Sequence, residues 1–128
     1  MKKLAFFFCS AIIFAACSTS NEPTKRENAP TIEARPVHGS VSQASFNVSG
    51  NCETCQETIE EATRLKGVTF CSWDTLSKVC VVTFDSRETN VDAIEKAIAK
   101  AGYDNDGYIA SDKAYEELPT CCQYDRKK

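Results

Sequence analysis

From residue 45 to the C-terminus, apolar and polar positions change rhythm several times, and each change marks an element. Ser45-Phe46-Asn47-Val48-Ser49 alternates with a period of two, the pattern of a half-buried strand, and Gly50-Asn51 breaks it. A period near 3.6 follows, with Ile59, Ala62 and Leu65 on one face. Thr54 and Glu57 have capping-box spacing, which starts this helix at Cys55, and Gly67 ends it. Val68 to Trp73 reads as a second strand with Cys71 and Trp73 on one face. Asp74-Thr75-Leu76-Ser77 turns the chain into a third strand, Lys78 to Phe84, where Cys80, Val82 and Phe84 share a face. A second helix, Val91 to Ala101, is capped by Thr89 or Asn90 and points Ile94, Ala97, Ile98 and Ala101 inward, with Gly102 in the C′ position. Tyr103 to Ala110 supplies a short fourth strand, weakened by Asn105-Asp106-Gly107. A last helical stretch, Lys113 to Leu118, is capped by Asp112 and stopped by Pro119.

The order β-α-β-β-α-β predicts an α+β domain of ferredoxin-like type over residues 45–110. It is an antiparallel sheet with two helices on one face, followed by a short helical extension over 111–128. Residues 1–16 have a different character. Met1-Lys2-Lys3 is a basic start, Leu4 to Phe14 an apolar run too short to span a bilayer, and Ala15-Ala16 the small residues of a cleavage site. Phe14-Ala15-Ala16-Cys17 resembles the lipobox of bacterial lipoproteins, with Phe where Leu is commoner. That resemblance implies an acylated Cys17 and an exported protein tethered to a membrane through its N-terminal lipid, on a periplasmic or cell-envelope face. Residues 17–44, rich in Ser, Thr, Asn, Glu, Pro and Lys without either period, read as a flexible tether, and His38 within it has no ligand partner at metal spacing.

Charge and cysteine count narrow the chemistry. The formal net charge is −3, and loss of Lys2 and Lys3 with the leader takes it to about −5, which speaks against a nucleic-acid partner. Of eight cysteines, Cys9 leaves with the leader and Cys17 is the lipidation candidate. Cys52, Cys55, Cys71, Cys80, Cys121 and Cys122 remain. An even count in an exported protein ordinarily suggests a disulfide framework. Here one pair is Cys-x-x-Cys and another is adjacent, and adjacent cysteines bridge each other poorly.

Asn51-Cys52-Glu53-Thr54-Cys55-Gln56 therefore carries the chemistry. Two thiols three positions apart at a strand-to-helix turn can point at one atom, and their softness favours Cu(I) or Zn over Mg or Ca. The same spacing suits a reversible disulfide, so a cell-envelope dithiol/disulfide protein is the alternative. A thioredoxin framework is missing from the pattern, and no His/Asn or His/Asp set is positioned to activate a Cys nucleophile, so the chain reads as a binding protein rather than an enzyme.

Residues Phe46 to Tyr108 resemble the heavy-metal-associated domain of copper chaperones, copper- and zinc-pumping P-type ATPases and periplasmic mercury-binding proteins. Val48-x-Gly50 before the Cys-x-x-Cys, Ile59-Glu60, Ala62, Gly67-Val68, Val82-Thr83-Phe84-Asp85, Ile94 and Ala101-Gly102-Tyr103-Asp104 carry the resemblance. It implies capture of a soft metal, Cu(I) foremost with Zn(II), Cd(II) or Hg(II) as alternatives, for sequestration or delivery to a metal efflux transporter or another thiol carrier. Two departures stand out. The family's Gly-Met-x-Cys-x-x-Cys is here Gly50-Asn51-Cys52, one residue shorter and without the Met that packs beneath the loop, and simple family members lack the Cys-Cys-Gln-Tyr ending.

Cys52 and Cys55 are the expected ligands, with Cys55, in the first helical turn, expected to be the activated thiolate. If the tail folds back, Cys121 and Cys122 join them in a site of three or four thiolates; if it swings free, they form a separate soft-metal site or an oxidation liability. The family resemblance puts Tyr103 beside the metal loop as a shielding residue, and the alternative is a helix-end residue packed on the core. Cys71 and Cys80 are expected to fill the core as small hydrophobes, with metal binding as the alternative, and a bridge between them would be structural rather than functional.

Overall fold

The computed structural model describes residues 21–30 and 34–126. In chain order the elements are β1 (Thr24–Lys25), β2 (Arg35–His38), β3 (Val41–Asn47), α1 (Glu53–Ala62), β4 (Val68–Trp73), β5 (Val79–Asp85), α2 (Val91–Lys100), β6 (Tyr108–Ile109), α3 (Asp112–Glu116) and a 3-10 turn, Thr120–Cys122. The leader and the lipidation candidate Cys17 lie outside the described residues, as does the side chain of His38.

An antiparallel sheet of order β2-β3-β5-β4 forms the base of the domain. Ala44 and Phe46 of β3, Cys80, Val82 and Phe84 of β5, and Trp73 of β4 point from one face into a core that Ile59 of α1 and Ile94 and Ile98 of α2 close. This is the expected ferredoxin-like α+β arrangement. Among the described residues no helix is long and apolar enough to cross a membrane.

Three features differ from the pattern predicted above. The alternation predicts a strand only from Ser45, with a tether before it, whereas β3 begins at Val41 and pairs with β5 from Val41↔Asp85 to Asn47↔Val79. Its first inward positions are Ser42 and Ala44, both buried. Side chains so small and polar carry no hydrophobic period, so the strand is silent in sequence. Gly39, at φ +62, turns the chain from β2 into β3. Further upstream, β1 pairs with β6, and ion pairs join Lys25 to Asp92 and Glu22 to Lys96 and Lys100. β1, β2 and the first half of β3 are thus paired strands.

The predicted fourth strand is the second difference. Only Tyr108–Ile109 is strand, and it pairs with β1 rather than with the main sheet. The edge beside β3 is shared instead by β2 and a single bridge, Val48↔Asn105.

Third, α1 begins two residues early and ends before Leu65. Cys52 is its N-cap, in extended conformation and without a side-chain cap, so the Thr54/Glu57 box does not form. Thr58 Oγ1 donates to the Thr54 carbonyl instead. By contrast, α2 is capped as expected, Asn90 accepting from the Ala93 N–H at 2.8 Å. Gly102 takes the left-handed C′ conformation at φ +102, and a Cβ there would lie 2.7 Å from the Ala114 carbonyl. That close approach brings the C-terminal extension against the domain.

Candidate metal centre

The site starts with a backbone reversal. After Val48 the chain leaves the sheet, and Gly50 passes over the indole of Trp73 so closely that a Cβ would sit 2.9 Å from the ring. Trp73 is fully buried, and its Nε1–H donates to the Val48 carbonyl at 3.1 Å. Its own backbone N–H is held by the Glu60 carboxylate at 3.1 Å. The indole is therefore the floor of the loop, in the role that the missing Met leaves vacant. No local sequence pattern around Cys52 points to it; the only hint is a single large aromatic on the inward face of β4.

Cys52 and Cys55 meet at the start of α1 with their sulfurs 3.4 Å apart. Cys55 is buried, and its sulfur accepts the Asn51 N–H at 3.3 Å. Cys52, partly exposed at the capping position, receives hydrogen bonds from the backbone and thiol of Cys55, which lower its pKa to about 7. Cys55 lies in the first turn of α1 as expected, and Cys52 stands at the N-cap because the helix starts earlier than the capping-box spacing suggests.

The extension then comes to meet the pair. Ser111 caps α3, accepting from the Ala114 N–H, where Asp112 was the expected cap. Pro119 ends the segment, and the 3-10 turn carries Cys122 inward. Cys122 is buried with its sulfur 3.9 Å from that of Cys52, and the sulfurs of Cys52, Cys55 and Cys122 all lie within 4.8 Å of one another. Cys121 points outward and is exposed, its sulfur 4.0 Å from that of Cys122, while its carbonyl accepts from the Cys52 thiol. The structure thus brings three of the four candidate thiols together and leaves the fourth at their rim.

Gln123, Tyr124 and Arg126 anchor this arrangement. The Tyr124 hydroxyl donates to the Gly102 carbonyl at 3.0 Å and accepts the Asp104 N–H at 2.7 Å. Its ring stacks on Tyr103 and meets Tyr115 edge-on, and the Tyr115 hydroxyl donates to the Tyr124 carbonyl. The Arg126 guanidinium binds the Asp104 carboxylate through two nitrogens, with both side chains only 9% exposed. From the loop side, Asn51 Nδ2 donates to the Gln123 carbonyl. Asn51 and the Gln-Tyr ending are therefore two halves of one contact, seventy-two positions apart in sequence.

Burial shapes the remaining groups. It raises the Cys122 thiol to about 12, with further upward pressure from Cys55 and Cys52. Tyr103 is fully buried and its hydroxyl has no hydrogen-bond partner among the described residues, although Cys122, Thr58 and Cys55 face it. An unpaired buried hydroxyl costs about 1–3 kcal/mol. Burial, and then Cys122, push its pKa up, so it stays a donor.

Metal–sulfur bonds of about 2.3 Å separate sulfurs by about 4.0 Å in a trigonal plane and about 4.6 Å in a linear pair. The 3.9 Å between Cys52 and Cys122 matches the trigonal value. The 3.4 Å between Cys52 and Cys55 opens to it with little movement, and to the linear value only with twice as much.

The sequence profile described as "Heavy-metal-associated domain" matches residues 45–104. Oxidized MerP from Ralstonia metallidurans CH34 is similar in structure, with 30% identity, 52% of this chain and 96% of that one covered, and a TM-score of 0.50. This chain belongs to the heavy-metal-associated domain family. A putative copper-ion-binding protein from Bacillus anthracis str. Ames is also similar (27% identity, 53% and 99% coverage, TM-score 0.50), as is a CopZ metallochaperone (30%, 50% and 98%, TM-score 0.49). A comparison with curated protein sequences found no match.

The heavy-metal-associated match ends at Asp104, so Cys121, Cys122, Tyr124 and Arg126 lie beyond it. In this family member the Cys-x-x-Cys loop is roofed by residues that the family pattern does not contain.

Proposed function

We propose that the domain captures a soft metal cation, Cu(I) foremost, between Cys52, Cys55 and Cys122, and passes it on by thiolate exchange. The observation that carries this reading is the convergence of three sulfurs, two of them from the family motif and one from the tail. Three thiolates within 4.8 Å of one another suit Cu(I) or Hg(II) better than Zn(II) or Cd(II), which favour four ligands. The similar Bacillus anthracis protein, described as copper-ion-binding, supports copper. Loading removes the protons of the bound thiols, and the Tyr103 hydroxyl gains a thiolate acceptor in place of none.

Release works in reverse. Cys52 is the least buried of the three, and Cys121 stands exposed beside Cys122. An incoming thiolate reaches the metal from that rim, and a resident thiolate leaves as the new bond forms. The acceptor is another thiol carrier or a metal efflux component, and the chain acts as a carrier or store rather than a catalyst. The basic start at Lys2-Lys3, the apolar run and Cys17 support export and a lipid anchor at the membrane face.

A dithiol/disulfide role is the second reading, favoured by one observation: the similar MerP is described in an oxidized form. A Cys52–Cys55 disulfide removes two of the three ligands, so the two roles exclude each other at any moment. Titration of the reduced protein with Cu(I) against a competing chelator, read by native mass spectrometry, tests the metal reading. It predicts one tightly held ion per chain. Binding no stronger than that of a free dithiol overturns it.

A further inference from the structure

We propose that Cys71 and Cys80 form a second, independent thiol site: a reversible intramolecular disulfide whose oxidant is a low-molecular-weight disulfide of the glutathione class. The two sulfurs lie 3.5 Å apart, and a bond between them closes that separation to about 2.05 Å. They sit on one face of neighbouring strands, Trp73 opposite Cys80 and Cys71 opposite Val82, which makes them a diagonal cross-strand pair.

Their surroundings are asymmetric in the way a disulfide exchange requires. Cys80 is fully buried, whereas Cys71 is half-buried at the β4 edge of the sheet. Cys71 opens onto a groove of about 350 Å³ whose walls include Glu60, Arg64, Thr69 and Phe70. A hydrogen bond from Cys80, with a smaller one from Thr63, lowers the Cys71 pKa against burial and the Glu60 charge. The same contact, with burial, pushes the Cys80 thiol up. Cys71 is the attacking group and Cys80 the resolving one.

Exchange runs in two balanced steps. The Cys71 thiolate attacks one sulfur of the small disulfide, forms a mixed disulfide and expels one small thiolate. That thiolate, or water, takes the Cys80 proton. Cys80 then attacks the Cys71 sulfur and expels the second small thiolate. Two protein thiols are oxidised, and one small disulfide is reduced to two thiols.

The consequence reaches the metal loop without involving its ligands. Cys80 is the register partner of Trp73, and Cys71 lies two positions before it on the same face. Trp73 is the floor beneath Gly50 and the only tryptophan in the chain. Bridging ties β4 to β5 directly behind that floor.

Tryptic cleavage after Lys66, Lys78 and Arg87 isolates Gly67–Lys78, which carries only Cys71, from Val79–Arg87, which carries only Cys80. The reduced protein is equilibrated with graded mixtures of oxidised and reduced glutathione, acid-quenched, alkylated and mapped by mass spectrometry. The expected result is a linked Gly67–Lys78/Val79–Arg87 pair, at least tenfold more abundant than links from either peptide to those carrying Cys52, Cys55, Cys121 or Cys122. Trp73 fluorescence should fall in step with that linkage. In Cys80→Ala, glutathione should stop on Cys71 as a stable mixed disulfide. If the parent keeps Cys71 and Cys80 alkylatable at mixtures that oxidise the other thiols, or links them to those thiols instead, the proposal is wrong. The parent mapping decides the matter even if the variant folds poorly.

Discussion

Cys52–Cys55 and Cys71–Cys80 have almost the same sulfur separation, 3.4 and 3.5 Å, and yet their surroundings send them to different chemistries. The first pair sits at a helix start, below a tail that adds a third sulfur and beside Tyr103, whose buried hydroxyl has no partner among the described residues. The second lies between two strands, flanked by Val82 and Trp73, and among the described residues it belongs to no cluster of three possible metal ligands. Distance between two thiols therefore says little about their chemistry. What else converges on them, and whether the backbone there can open to admit an ion, says much more.

The hardest way to break this contrast is to remove a ligand from each region. Cys52→Ser should weaken Cu(I) binding by about a thousandfold or more, about 4 kcal/mol, whereas Cys71→Ser should leave it within about twofold. Competition titration measures both, and equal losses would erase the distinction. Cys122→Ser should cost less, about ten- to a hundredfold, or about 1.4–2.7 kcal/mol, because the Cys52–Cys55 pair of the family motif stays intact. Tyr124→Phe touches no sulfur. It removes the bonds to Gly102 and Asp104, which should lower stability by about 1–2 kcal/mol in denaturant melts and weaken metal binding several-fold through the tail. The same substitution should leave Cys71–Cys80 linkage unchanged.

The smallest effect is in pH. Metal binding competes with protons, so it tightens as pH rises. Below pH 7 the Cys52 thiol, with its pKa lowered to about 7, is protonated and releases close to one proton per ion bound. Above pH 7 that contribution fades, while Cys122, raised to about 12, goes on releasing its own. The slope of log affinity against pH should fall by close to one across pH 7, and a slope unchanged there would remove Cys52 from its assigned role.

The two thiol regions also differ in how far they could be read from sequence. Cys71 and Cys80 announced themselves through strand alternation, since Trp73, Val82 and Phe84 supply a clear period of two. The Cys-x-x-Cys loop was equally plain at its strand-to-helix turn. The third ligand was not. It depends on Gly102 admitting α3, on Tyr124 reaching Gly102 and Asp104, and on Asn51 meeting Gln123, contacts between residues 12 to 72 positions apart that leave no local periodicity. The β2–β3 hairpin was hidden for a different reason: Ser42 and Ala44 fill its inward positions without a hydrophobic signal. The capping box misled because Cys52, with no side-chain cap of its own, starts the helix two residues earlier.

X-ray absorption spectroscopy of the Cu(I)-loaded protein tests the three-sulfur site most directly. It should find three sulfur neighbours at about 2.3 Å, falling to two in Cys122→Ser. Two sulfurs in the parent protein, unchanged by that substitution, would contradict a site completed by the tail.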